Sequence, residues 1–110
     1  MRLGITGAGG FVGRRLAELA AADARVSGLV LNDLGPLPEI AGATRVPGSI
    51  NDAGVRARFC DGVDGVIHLA AILGGAAESD PALARRVNVD ATMDLFEDLR
   101  ARNPGARVVF

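Results

Sequence analysis

The sequence predicts an α/β fold, a doubly wound parallel sheet of strand order 3-2-1-4-5 that is cut short at its carboxyl side. Three observations predict it. Short apolar runs alternate with segments of helical period, the pattern of parallel strands joined by crossover helices. A glycine-rich turn directly follows the first run. The last run, Arg107–Phe110, has no later element to cover it. A length of 110 residues allows one domain. With 49% apolar and 23% charged residues the chain has a globular rather than a disordered composition.

The elements follow in order. Arg2–Thr6 is apolar-leaning and stops at Gly7, as a buried strand entering a turn does. Leu16, Leu19 and Ala20 recur at helical spacing opposite Arg14, Arg15 and Glu18, which predicts a helix over 10–22. Val26–Leu31 is the second strand and ends at Asn32-Asp33, and the prolines and glycines of 34–42 make a loop. Thr44–Val46 is a short third strand. Asn51 or Asp52 offers an oxygen to cap a helix through Phe59. Gly65–Ala71 is the fourth strand, and Gly74–Ser79 is small and polar. Asp80-Pro81 starts a helix, with Asp as cap and Pro at the position whose N–H has no partner anyway. Leu83, Val87, Met93, Leu95, Phe96 and Leu99 mark its inner face until Asn103-Pro104-Gly105 stops it. Arg107–Phe110 is the fifth strand.

Charge and composition exclude several functions. Twelve basic residues against 13 acidic ones leave a net charge of −1 with the signs scattered, so nothing draws the chain to nucleic acid or an anionic membrane. No apolar stretch approaches the roughly 20 residues of a membrane helix, and Met1–Gly7 lacks a secretory pattern. A single cysteine, Cys60, makes no internal disulfide and fits a reducing cytoplasm, the expected location. Every basic residue is Arg, and there is no lysine and no tyrosine. A phosphate-binding lysine of the Walker type and a Schiff base are therefore excluded within this chain.

The sharpest local signal is Thr6-Gly7-Ala8-Gly9-Gly10-Phe11-Val12-Gly13, between a strand and a helix. Gly7 allows the sharp exit from the strand, Gly10 lets a pyrophosphate approach the backbone, and Gly13 lets the helix pack closely on the sheet. The helix N-terminus adds unpaired N–H groups and a partial charge of about +0.5. Without a ligand the same turn would simply pack strand against helix. Asp33, 20 residues past Gly13 at the end of strand two, favours the ligand: its carboxylate suits both hydroxyls of an adenosine ribose. It repels a 2′-phosphate, and no Arg lies between positions 34 and 44 to receive one, so NAD is expected over NADP. A loop carboxylate capping a turn is the plainer alternative for Asp33. Methyltransferase-like folds also place an acid after strand two, but their glycine loop does not usually show this spacing.

The glycine turn, Asp33 and the strand end His68-Leu69-Ala70-Ala71 together resemble the extended short-chain dehydrogenase/reductase superfamily. These are the NAD-dependent epimerase/dehydratase relatives, built on a Rossmann fold. Asn88-Val89-Asp90-Ala91-Thr92 resembles that family's N-V-x-G-T segment, with Ala91 in place of glycine. Residues 72–100 are similar to the sugar-acid dehydrogenase branch typified by D-erythronate dehydrogenase. The resemblance implies that Gly7, Gly10, Phe11 and Val12 contact the pyrophosphate of NAD and Asp33 the ribose. In place of the family's Gly-Asp-Ile/Leu stands Gly48-Ser49-Ile50, so Ser49 can accept a hydrogen bond near the adenine but brings no charge. Leu69, Ala70 and Ala71 would line the cofactor between ribose and nicotinamide, and Asn88 would project toward the nicotinamide side.

The resemblance also implies a sugar-acid or nucleotide-sugar substrate, hydride transfer, and a homodimer built on the long flanking helices. The family's catalytic Ser or Thr and its Tyr-x-x-x-Lys pair are not in this chain, so no catalytic residue is expected here. A dinucleotide-binding sensor or scaffold without catalysis is the rival reading. Sequence beyond Phe110 would separate the two. His68, alone in an apolar strand, is expected to be structural. Cys60 is expected as a small buried hydrophobe that forms no metal site. Arg56, Arg58, Arg85 and Arg86 are expected on solvated helix faces, and Asp94, Glu97 and Asp98 as surface charges.

Overall fold

Alternation along the strands decides which face each residue covers. In the computed structural model, which describes residues 1–110, five parallel strands form one sheet in the order β3-β2-β1-β4-β5. They are β1 (Arg2–Thr6), β2 (Gly28–Asp33), β3 (Thr44–Pro47), β4 (Gly65–His68) and β5 (Arg107–Val109). Leu3, Ile5, Leu29 and Leu31 point to one face, where Ala17 and Ala20 of α1 (Phe11–Ala21) cover them. Val30, Val46 and Val66 point to the other. There Val55 and Phe59 of α2 (Ala53–Phe59) and Ala91, Leu95 and Leu99 of α5 (Ala91–Arg102) complete the second core. Gly4 lies in the middle of β1 because the Phe59 ring presses on it: a Cβ there would stand 2.7 Å from the ring's Cζ. The expected fold class and strand order are those observed.

Register brings Thr6, Asn32 and His68 side by side, since Thr6 pairs with Asn32 on β2 and with His68 on β4. All three are buried, at the carboxyl edge of the sheet where the strand order reverses. Asn32 donates to the Val46 and Gly48 carbonyls at 2.9 and 3.0 Å and so ties the end of β2 to that of β3.

Several local expectations are corrected. Gly10 and Ala22 are the caps of α1 rather than members of it. Of the two candidate caps of α2, Asp52 serves, accepting from the Val55 amide at 3.0 Å. β4 ends at His68, not Ala71, because beyond it the chain turns toward the Thr6 side chain. Gly75–Ser79 forms a short helix, α3, where the sequence predicts only a small polar stretch. Asp80 caps α4 (Pro81–Arg85) through the Leu83 amide at 3.0 Å, as anticipated. The expected continuous helix is interrupted by a π-helical turn at Arg86–Asp90 before α5 begins. Met93 is 57% exposed, against the inner-face expectation. It lies two residues from both Ala91 and Leu95, about 200° around a helix of 3.6 residues per turn.

Arg56 is also a correction. It is 7% exposed and donates to the Ile50 and Asn51 carbonyls at 3.0 and 2.8 Å and to Asp98 at 2.7 Å. Cys60 is fully buried as expected, and burial pushes its thiol up to about 11.

Candidate dinucleotide site

The turn from β1 into α1 is possible only with glycine at the places that carry it. Gly7 has φ +68°, and a Cβ there would lie 2.8 Å from the Leu69 carbonyl carbon and 2.9 Å from the Ala70 nitrogen. The turn thus packs directly on the peptide that follows β4. A Cβ on Gly13 would overlap the Gly7 carbonyl oxygen, so Gly13 sets how closely α1 approaches the turn. Gly10 differs. It is exposed, and a Cβ would meet only the Gly7 oxygen, at 3.3 Å. Nothing of the protein lies over it.

The start of α1 carries no side-chain cap. Its first helical bond runs from the Arg14 amide to the Gly10 carbonyl, which leaves the Phe11, Val12 and Gly13 amides without an intrahelical acceptor. Phe11 and Val12 are 95% and 61% exposed, so their backbone is open to a ligand. Aligned N–H groups at a helix start with no competing carboxylate can receive an anion.

Asp33 stands one strand over. Its Oδ2 accepts the Gly9 amide and its Oδ1 the Gly35 amide, each at 2.8 Å. Each oxygen has lone-pair capacity left for a further donor. Gly9 is therefore a site residue that the sequence reading missed. A Cβ there would overlap the Pro36 carbonyl oxygen and stand 3.0 Å from Asp33 Oδ2. Arg14, also missed, spans the same place. It donates to the Gly9 carbonyl at 2.8 Å and to the Pro36 carbonyl at 3.2 Å, tying the turn to the loop after β2. A fourth glycine in the turn was the available signal for Gly9. Arg14 had none, because its second partner lies 22 residues away. Between the loop after β2 and β3, an open cavity of about 460 Å³ is lined by Gly35, Pro36, Leu37, Arg45 and Pro47. Arg45 lies one position past the arginine-free segment 34–44.

The remaining expected positions separate. Leu69 and Ala70 are half-buried against Gly7, and their amides donate to Thr6 Oγ1, both at 3.1 Å. Ala71 is exposed beyond them. Ser49 sits at the β3 end and accepts the Asn51 amide at 3.2 Å, whereas the Ile50 side chain belongs to the core. Asn88 holds Ile72 by both backbone groups, with Oδ1 accepting and Nδ2 donating at 2.8 Å each. Its amide thus fixes the segment after β4. His68 is buried between Thr6 and Thr92, and burial lowers its pKa. No cluster of three metal-ligating side chains exists, and no helix is long and apolar enough to cross a membrane.

The fold is shared with known proteins. Residues 3–110 match the model of the NAD dependent epimerase/dehydratase family. The chain belongs to that family. Among curated relatives, D-erythronate dehydrogenase of Haemophilus influenzae is 35% identical, the match taking in 100% of this chain and 37% of that protein. Among solved structures, a nucleoside-diphosphate-sugar epimerase from Agrobacterium tumefaciens superposes with a TM-score of 0.88 at 31% identity, over 100% of this chain and 36% of that one. A mutant of uronate dehydrogenase from the same organism, complexed with NAD, gives 0.83 at 31%, over 99% and 39%. This epimerase/dehydratase chain spans little more than a third of the length of those relatives.

Proposed function

We propose that this chain is the NAD-binding portion of an oxidoreductase that acts by hydride transfer on a hydroxyl of a sugar acid or a nucleotide-linked sugar. The observation that carries it is the pairing of an uncapped helix start over Gly10 with a carboxylate anchored one strand away. In that role the Phe11, Val12 and Gly13 amides hold the diphosphate, with Gly7 and Gly13 keeping the turn tight beneath it. Asp33 holds the adjoining ribose, and Ser49 faces the adenine without charge. Leu69, Ala70 and Ala71 border the path toward the nicotinamide, and Asn88 shapes that border through Ile72. Bound NAD supplies the hydride acceptor.

The chain's own residues bind and orient. Deprotonating the substrate hydroxyl needs a base; the chain has no Tyr or Lys to serve, and His68 is enclosed between two threonines. The dehydrogenase relatives support an enzyme over a binding-only scaffold, and the acids in their names and the nucleoside-diphosphate sugar in the epimerase's support the substrate class. Titration with NADH, followed by its fluorescence, with NADPH as control, tests the reading. Saturable NADH binding at least about tenfold tighter than NADPH is expected, since a carboxylate at the ribose repels a 2′-phosphate. Equal or tighter NADPH binding would overturn the assignment of Asp33.

A further inference from the structure

The Thr6 hydroxyl stands where three groups meet. Its oxygen receives the Leu69 and Ala70 amides and lies 2.7 Å from His68 Nδ1. A hydroxyl has one proton and two lone pairs. The two amides fill the lone pairs, so the proton goes to Nδ1, the bare nitrogen of the ring. Nε2 then carries the ring hydrogen and donates to Thr92 Oγ1 at 2.8 Å, and Thr92 donates onward to the Asn88 carbonyl at 3.0 Å. One set of proton positions satisfies every member. Thr6 is 0% and His68 6% exposed, which leaves water little room to replace a lost partner.

We infer that His68 is a positioning residue of the dinucleotide site: by accepting the Thr6 proton it fixes the hydroxyl that docks Leu69–Ala70 on the glycine turn. The inference rests on the NAD-binding reading above. The Ala70 amide depends on Thr6 Oγ1, whereas Leu69 also reaches the Thr6 carbonyl at 3.2 Å. That same peptide is the one a Cβ on Gly7 would strike, so the turn and the strand end hold each other in place. His68 touches no ligand in this role; it acts through Thr6.

Two substitutions divide the ring's two bonds. His68→Asn sets a carbonyl oxygen near the place of Nδ1, keeping an acceptor for Thr6 and dropping the link to Thr92. His68→Gln reaches the place of Nε2 instead, keeping Thr92 and leaving the Thr6 proton without an acceptor. NADH titration and thermal unfolding are measured for both. Each variant is expected to melt earlier, but Asn should keep NADH affinity within about threefold of wild type while Gln weakens it about tenfold. Equal affinities in the two variants overturn the proposal. Should either fail to fold, Thr6→Ser and Thr6→Val test the hydroxyl through which His68 acts: Ser is expected to bind and Val to lose affinity, and equality refutes the proposal. Failure of the unsubstituted protein to bind NADH overturns the NAD reading itself, a result seen before any variant is compared.

Discussion

The Asp33 carboxylate accepts the Gly9 amide at 2.8 Å, so the acid after β2 and the turn after β1 are joined directly. Gly35 holds the other oxygen and Arg14 closes the outside through the Gly9 and Pro36 carbonyls. Fixing the carboxylate before a ligand arrives removes an ordering cost from binding.

Gly9 is accordingly sensitive. Gly9→Ala would drive a methyl into the Pro36 carbonyl and against Asp33. A loss of about 1–3 kcal/mol in stability is expected, the usual cost of overpacking. NADH affinity should fall with it, because the carboxylate is displaced. Urea unfolding and NADH titration check both, and an unchanged affinity in a folded variant would separate Asp33 from the ribose role.

Asp33→Asn keeps an oxygen for one backbone amide and removes the charge. The preference for NADH over NADPH should shrink at least about tenfold, roughly 1.4 kcal/mol of discrimination. Parallel titrations of the two cofactors measure the ratio. A ratio that does not move places discrimination elsewhere.

Acid should weaken the fold through His68. Burial holds its pKa below the ordinary imidazole value of about 6.5. Above that value folded and unfolded chains both carry a neutral ring, and the contribution is complete. As pH falls through it, the unfolded chain takes up a proton that the folded one refuses, so stability declines until the folded value is reached. Urea midpoints are expected level between about pH 7 and 8 and falling toward about pH 5, with a shallower fall in His68→Asn. The same slope in the variant would assign the effect to other groups.

Arg56→Met leaves the Ile50 and Asn51 carbonyls and Asp98 without their donor. The Arg56 side chain is 9% exposed, so about 2–4 kcal/mol of stability should be lost. Asp98→Asn should cost only about 1 kcal/mol, since that carboxylate is 33% exposed and partly screened by solvent. Denaturant unfolding of both variants tests the order, and the reverse order would show that the carbonyl contacts contribute little.

By itself the sequence determined the strand order, the glycine turn and the acid after strand two. Those features depend on local chemistry: apolar period, the absence of a Cβ, and Asp and Pro at helix starts. It determined equally that a mechanism needing Lys or Tyr is absent from this chain. What the tertiary structure alone decided are contacts between residues distant in the chain. Gly9 with Asp33, Arg14 with Pro36, Thr6 with His68 and Arg56 with Asp98 are 22 to 62 residues apart. The π turn at Arg86–Asp90 likewise has no sign in the local sequence, and Asn88 within it clamps Ile72, 16 residues away. Which of these distant groups meet depends on how the crossovers set helices and loops against the sheet, and local residue patterns do not encode that placement.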